Sequence, residues 1–578
     1  MANSLNWETN CQNGQSVCTN PAPNDYPQQH QNHNDFDDFM AMVKKYNQRA
    51  VIIANTESDT PAHVAALVTH AAQGGDLPYI QMFELGNEIY IHSPNNDPHY
   101  YGNNIPQYAQ AMQQAAQAAG MSIHIAVNVW DGYGYGSEGD TGGWADQFSQ
   151  YALSMTCNIA MVDAIESHPY VGGAGTSQDS GLLQEPSNPY GGVRTTINRE
   201  IGDESACPAK AGKMLIDVGE INSDGASADP QTASLVDGLY AADSAAYMAE
   251  FGATTFHWFD LHNGRDATQP YIAGNYYNST VSTRITGAYE PGRDFGDWGV
   301  LENCVSPTAS YCMEEGVNYA FPTYYGLKAA AMIYKNGGSM LKVSSDTATL
   351  DAHAVREVDG SLALLLINKS PSADASINVS ISGYSLPSSA TVYSYGPNQS
   401  AIGPAHWDNA AADLQQSTVQ TSGPGGASIA VPAYSVAVVK FASAPNLATN
   451  PGFETGTFSG WDSFSTSSVV AANAHSGTYA AQFGSGGLAQ QWVTGLSPNT
   501  TYTVSGWVRS DTAGSPMCVG AKDFGGTETN SCPSSMSYTQ PSVTFTTGSG
   551  NTAATIYLYK PSGTSGTSWS DDVLLVQK

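Results

Sequence analysis

Tyr79-Ile80-Gln81-Met82-Phe83-Glu84-Leu85-Gly86-Asn87-Glu88 is an apolar run that stops on an Asn-Glu pair. A run of this length reads as a buried strand. A carboxylate at the carboxyl end of a barrel strand stands where βα-barrel enzymes do their chemistry. Met214-Leu215-Ile216-Asp217-Val218-Gly219-Glu220 repeats the pattern further along the chain and also ends on a glutamate. About three βα units fit between the two glutamates at ordinary element lengths, which predicts that Glu88 and Glu220 meet at one barrel mouth. Paired carboxylates across a cleft are the equipment of glycoside hydrolysis.

Around these two strands the chain alternates. Helices are predicted over 36–46, 61–72, 106–119, 144–155, 192–201, 234–251 and 322–335, with Thr60 as N-cap and Pro61 in the first turn of the second. Strands are predicted over 49–55, 79–86, 122–130, 161–168, 213–219 and 254–260. Strands alternating with helices imply parallel βα units. Six strands are counted where a closed barrel needs eight. The fold class is therefore α/β, a (β/α)8-type TIM barrel lacking its first two strands; either the irregular N-terminus holds strands the pattern does not show or, the preferred reading, the chain begins inside the barrel. The edge at 49–55 is expected to be exposed, covered by residues 1–35, or covered by a second copy of the chain.

At 578 residues the chain exceeds one ordinary core. From 341 to 441 the apolar period changes to two, as in Leu362-Ala363-Leu364-Leu365-Leu366-Ile367-Asn368, which predicts an antiparallel β-sandwich. A short linker with Pro445 leads to a second all-β segment rich in Ser, Thr and Gly. The domains are thus 1–336, a barrel; 337–442, a β-sandwich; and 449–578, a β module.

Twenty Lys and Arg against 51 Asp and Glu give a formal charge of −31, which repels a phosphate backbone and disfavours nucleic acid as partner. It also disfavours anionic glycans, which need local Arg or Lys. No apolar run reaches the roughly 18–20 residues of a membrane span. The start, Met1-Ala2-Asn3-Ser4, has neither a basic nor an apolar leader region. Eight cysteines without a CxxC pair suggest disulfides between sequence neighbours, 11/18, 157/207, 304/312 and 518/532, and an oxidising, extracellular setting. His92, His99 and His168 show no ligand spacing, so neither a metal nor a cofactor is expected.

Leu85-Gly86-Asn87-Glu88 and Val218-Gly219-Glu220 resemble a retaining glycoside hydrolase of clan A. The branch it is most similar to contains the arabinofuranosidases, the β-glucuronidases with heparanase, and the β-xylosidases. The order of strands, and a sandwich following Pro322-Thr323-Tyr324-Tyr325-Gly326-Leu327-Lys328, carry the resemblance over about 49–441. It implies Glu88 as acid/base, Glu220 as nucleophile and Asn87 as donor to the sugar 2-hydroxyl. His168 and Tyr170 match positions that orient the nucleophile, and Trp258 matches the aromatic floor of the sugar subsite. The last segment opens Asn450-Pro451-Gly452-Phe453-Glu454, closes on Asp571-Asp572-Val573, and resembles a jelly-roll carbohydrate-binding module. Trp461, Trp492, Trp507 and Tyr559 are its candidate ligand aromatics, although Trp in a sandwich more often serves the core.

Further residues near strand ends, Asn55, Asn128, His257 and His262, are candidates for sugar hydroxyls, as are Tyr133 and Tyr135 of a Gly-rich loop. Glu84 reads as a partner for backbone or arginine. Glu166, two residues before His168, shares its face of the strand. The expectation is a secreted retaining hydrolase of plant or microbial polysaccharide or oligosaccharide, with a homo-oligomer following if the barrel edge is unpaired. The alternative is a non-catalytic carbohydrate-binding protein on a degenerate barrel; a purely structural protein has only the β-rich C-terminal half behind it.

Overall fold

The computed structural model describes residues 5–7, 11–12, 35–91, 97–129, 162–170, 179–188, 213–225, 231–232, 234–262, 298–301, 320–334, 337–358, 360–380, 387–397, 399, 413–421, 426–442 and 446–577. The predicted helices 144–155 and 192–201, the loop of Tyr133 and Tyr135, and five of the eight cysteines lie outside them.

A two-residue hairpin, β1 Leu5–Asn6 and β2 Cys11–Gln12, precedes helix α1, Asp35–Lys45. Then come β3 Ala50–Ala54, α2 Pro61–Gln73, β4 Ile80–Leu85, α3 Pro98–Ala118, β5 Ile125–Asn128, β6 Ala164–Ser167, β7 Leu215–Ile221, α4 Leu235–Phe251, β8 Thr255–Trp258 and α5 Pro322–Tyr334. The six strands β3 to β8 pair in chain order, every pair parallel. Among the described residues the sheet therefore has six strands, two fewer than a closed barrel, with β3 and β8 at its edges. The described N-terminal residues reach α2 rather than the β3 edge: Trp7 stacks on His63 and donates Nε1–H to the His63 carbonyl at 3.3 Å.

Local chemistry sets the helix ends. Thr60 accepts the His63 N–H and Pro61 occupies the first turn of α2, as expected. Helix α3 corrects the sequence reading, which started it at Pro106. Asp97 caps it by accepting the His99 N–H, Pro98 takes the first turn, and Pro106 sits inside. Proline there forfeits one backbone bond. The buried stripe Tyr101, Ile105, Ala109, Met112 and Ala116 holds the helix on the sheet regardless. Helices α4 and α5 cross backbone to backbone, where a Cβ on Gly326 would stand 1.9 Å from the Gly238 carbonyl oxygen.

Strands β9 Gly338–Leu341, β10 Leu350–Glu357, β11 Leu362–Asn368, β12 Ala375–Val379, β13 Ser389–Tyr395, β14 Gln415–Gln420, β15 Ala427–Val431 and β16 Ser435–Phe441 form the expected sandwich. One antiparallel sheet runs β14-β13-β16-β11-β10-β9, and β12 pairs with β15. Leu365, Ile367, Val436 and Val438 share a core with Leu239, Ala242 and Ala246 of α4. The same seam holds a buried polar knot. His353 of β10 meets Asp243 at 2.9 Å through Nε2 and Glu250 at 2.8 Å through Nδ1, while Lys369 bridges Asp243 and Asp351.

The C-terminal module stacks two five-stranded antiparallel sheets. The strands are β17 Asp462–Phe464, β18 Ser467–Val470, β19 Ala480–Phe483, β20 Leu488–Thr494, β21 Thr501–Ser510, β22 Cys518–Lys522, β23 Thr529–Ser531, β24 Ser542–Thr546, β25 Ala553–Tyr559 and β26 Ser568–Gln577. One sheet runs β17-β20-β25-β22-β23 and the other β18-β19-β26-β21-β24. Cys518 and Cys532 are disulfide-bonded, as the spacing predicts.

Burial alone would lower the His353 imidazole, but hydrogen bonds and charge from Asp243 and Glu250 overcome it and hold the group up at about 9. An unfolded imidazole titrates near 6.5, so this seam is fully stabilising below pH 6.5 and weakens as pH rises through 9. At about 1.4 kcal/mol per pH unit the effect is on the order of 3 kcal/mol. Calorimetry at pH 6.5 and 9.5 is expected to show the barrel–sandwich transition falling, and the fall is expected to vanish in His353→Gln; equal losses in both proteins would contradict the assignment.

Candidate active site

The chain leaves β4 through Gly86, at φ 90°, and Glu88 itself sits at φ 48°. A left-handed non-glycine residue is strained, and such strain gathers where a side chain must be aimed. Strand β7 aims its glutamate differently. Val218 pairs with Phe256 and Ile221 with Trp258, so one extra residue is inserted at Gly219-Glu220. This bulge turns Glu220 off the regular pleat.

The result is convergence. One ligand atom each from Glu88, His168 and Glu220 lies within 4.8 Å of the other two. His168 Nδ1 is 3.2 Å from Glu88 Oε1 and 3.6 Å from Glu220 Oε2. Tyr170 donates its hydroxyl to Glu220 Oε2 at 2.7 Å, and Tyr90 donates to Glu88 Oε1 at 3.4 Å. Glu88 and Glu220 keep 34% and 24% of their side chains exposed, whereas His168 keeps 2%. The two carboxylates face the opening, and the imidazole lies beneath them.

Below this tier is a buried one. Parallel register lays Asn128, Glu166, Asp217 and Thr255 in one row across β5 to β8. Asn128 Nδ2 donates to Glu166 Oε2 and, at 3.3 Å, to Glu84 Oε1. Thr255 donates to Asp217 Oδ1. Glu166 Oε1 takes His168 Nε2 at 2.7 Å. Glu166 fits because residue 219 lacks a side chain: a Cβ there would stand 2.1 Å from Glu166 Oε1.

Electrostatics follow from this stacking. Burial, then the Glu166 charge, raises Glu84 well above the carboxylate range and pushes Asp217 up to about 7. Burial pulls His168 down, yet the charge and hydrogen bond of Glu166 outweigh it and hold the imidazole well above its ordinary value. Glu220 is raised by burial, with His168 and the Tyr170 hydroxyl pulling it back. His257 is lowered by burial and lies 3.5 Å from Asp217. Two triads, Glu84–Glu166–His168 and Glu88–His168–Glu220, bring donor atoms as close as a cation requires. Both ring nitrogens of His168 are already engaged by carboxylates, and the imidazole supplies positive charge there.

Several expected substrate contacts change role. Asn128 is fully buried, accepts the Ile89 N–H and ties Glu84 to Glu166, so it builds the floor of the site. Asn55 is buried and holds its own turn, accepting the Glu57 and Ser58 amides and donating to Ser58 Oγ. His168 is buried below the two carboxylates, with Nδ1 toward Glu88 and Glu220. Asn87 is half-buried beside Glu88, and Trp258 is half-buried against Tyr240 at the end of β8. Glu84 pairs with an asparagine and not with arginine. Asp217 went unnoticed in the sequence, although a charge inside Leu215-Ile216-Asp217-Val218 was the available signal.

On the module, Trp492 and Phe464 stand 55% and 47% exposed on one sheet. Tyr557 of that sheet lies over Gly520, with its hydroxyl donating to Glu528 at 2.7 Å and accepting from Asn530 at 3.1 Å. Trp461 is core: it is buried and donates to the Thr449 carbonyl at 2.8 Å. Trp507 belongs to the other sheet, stacked on His475 at 4.0 Å, and the Tyr559 hydroxyl accepts the Ser562 N–H.

Residues 445–566 match the family model described as Carbohydrate binding domain. The chain is similar to the keratan-sulfate endo-1,4-beta-galactosidase of Sphingobacterium multivorum, 41% identical over 131 residues, which are 22% of this chain and 31% of that protein. It thus spans about a third of that relative's length. Among solved structures, a carbohydrate-binding module in complex with β-1,4-galactotriose is 26% identical, covering 23% of this chain and 99% of its own at TM-score 0.20. The GH51 α-L-arabinofuranosidase of Thermotoga petrophila is 15% identical, covering 76% of this chain and 86% of its own at TM-score 0.49.

Gly219→Ala is expected to force Glu166 from its niche and cost about 1–3 kcal/mol, the range for overpacking a tight interior. Thermal unfolding measures it; an unchanged midpoint would mean that Glu166 is not fixed over Gly219.

Proposed function

We propose that this protein is a retaining glycoside hydrolase of polysaccharide, delivered to its substrate by the C-terminal carbohydrate-binding domain. The observation that carries this reading is the convergence of Glu88 and Glu220, partly exposed, with their nearest oxygens and the His168 nitrogen within 4.8 Å of one another. Retention calls for carboxyl groups about 5–5.5 Å apart, where inversion needs the wider gap that admits a water. Glu220 attacks the anomeric carbon as the glycosidic bond breaks, and Glu88 gives its proton to the departing oxygen. Glu88 then takes a proton from the water that displaces Glu220 from the sugar. Tyr170 donates to the Glu220 oxygen and favours its ionised form against the upward push of burial.

A β-galactoside-containing glycan is supported by the name of the Sphingobacterium relative. The overall charge of −31 favours neutral stretches of such a polymer. The Cys518–Cys532 disulfide supports an extracellular setting, which recovery of the native protein from culture medium would test. The non-catalytic alternative draws on the six-stranded sheet, but a barrel that had lost its chemistry would have no use for two converging carboxylates, one of them on a left-handed backbone.

Glu88→Gln and Glu220→Gln are each expected to lower kcat on the best glycan of a galactoside, arabinoside, xyloside, glucoside and glucuronide screen by about 10³-fold or more. Proton NMR of the first product is expected to show retained anomeric configuration. Inverted product, or wild-type turnover in both variants, would refute the mechanism. Trp492→Ala is expected to weaken retention on insoluble polysaccharide about tenfold with soluble-substrate turnover unchanged, the order of one aromatic contact; unchanged retention would move the ligand face elsewhere.

A further inference from the structure

Below the two catalytic candidates, Glu166 has no access to a substrate: its side chain is fully buried, locked over Gly219 and tied by Asn128. Its other oxygen holds His168 Nε2 at 2.7 Å, and the opposite ring nitrogen points between Glu88 and Glu220 at 3.2 and 3.6 Å. A single ring thus connects a sealed carboxylate to both working ones.

We propose that Glu166 is a positioning residue for the hydrolysis, acting as the counter-ion that keeps His168 protonated so that Nδ1–H serves whichever of Glu88 and Glu220 carries the negative charge. This rests on the retaining reading above and extends it. In double displacement the charge starts on Glu220, passes to Glu88 when that residue has given up its proton, and returns when the sugar leaves Glu220. A donor fixed between the two carboxylates stabilises both forms without moving and without losing its own proton. Each charge-assisted bond is strong in a site largely closed to water.

The surroundings of the ring make Glu166 the decisive partner. From β4, Glu84 is buried and raised, which favours its neutral form. From β7, Asp217 sits near 7, and from β8, His257 is lowered and adds little positive charge at neutral pH. Tyr101 and Tyr170 are raised and stay neutral hydroxyls. Glu88 and Glu220 exchange charge during turnover, so neither can be the constant counter-ion. Glu166, hydrogen-bonded by Asn128 and paired with His168 at 2.7 Å, can.

The test uses the full chain with 15N-labelled histidine. In the wild type the His168 ring is expected to stay doubly protonated well above the ordinary imidazole range, and in Glu166→Gln to titrate at least one pH unit lower. On the best glycan, the alkaline limb of kcat/KM in Glu166→Gln is expected to move down by the same amount, with kcat at the optimum reduced about tenfold and KM within twofold. Glu166→Asp, which keeps the charge, is expected to recover much of the alkaline limb. An unchanged His168 titration in a folded Glu166→Gln protein would overturn the proposal whether or not the protein hydrolyses glycans. A lowered His168 titration in a protein that cleaves nothing would defeat the hydrolase reading and leave the Glu166–His168 pairing standing. If Glu166→Gln does not fold, Gly219→Ala carries the same titration by forcing the Glu166 carboxylate off the ring, and a titration unmoved there would equally overturn it.

Discussion

The contact between Glu166 and His168 is the constraint on which the candidate site depends. Five carboxylates converge on the open ends of β4, β6 and β7, Glu84, Glu166 and Asp217 below and Glu88 and Glu220 above, and the His168 imidazole stands between the two tiers. Charges that close in a desolvated interior do not all ionise, and the proteins that keep them do so by protonation and pairing. Here the division is visible. Glu84 and Asp217 are pushed up, Glu166 holds the imidazole, and the two upper glutamates keep contact with solvent.

The backbone was shaped to permit that arrangement. A glycine at 219 gives the Glu166 carboxyl its space, and the bulge that contains this glycine is the same one that re-aims Glu220. The niche for the buried acid and the aim of the exposed one are therefore a single local irregularity in β7. On the facing side Glu88 reaches its position through a left-handed backbone after Gly86. Regular strands would have turned both glutamates by the ordinary alternation of the pleat, so each strand leaves regularity at its carboxyl end.

Helix α4 links this sheet to the rest of the molecule. It leads into β8, crosses α5 without intervening side chains at Gly238 and Gly326, and presents Asp243 and Glu250 to His353 of the sandwich. Its face toward the sandwich is apolar around that polar knot, with Leu239, Ala242 and Ala246 in the shared core. The seam thus combines non-directional burial with a hydrogen-bonded ion cluster that fixes register. The C-terminal module has a core of its own, made from the inner faces of its two sheets.

The sequence by itself determined the βα alternation, the six strands, the two β domains behind them and the pair Glu88 and Glu220, because apolar period and a charge closing an apolar run are local signals. It placed the start of α3 two turns late, since Pro106 looks like a first turn unless the Asp97 cap is known to be made. What only the tertiary structure decided is which polar residues face the opening and which face one another. Asn55, Asn128 and His168 sit at strand ends like Glu88, and nothing in their neighbours along the chain marks them as turned inward. Register between strands far apart in sequence put Asn128 beside Glu166 and Glu166 beside Asp217, and a missing side chain at Gly219 opened the space between them. Pairings of that kind are set by how sheets stack and twist, and no single strand contains them.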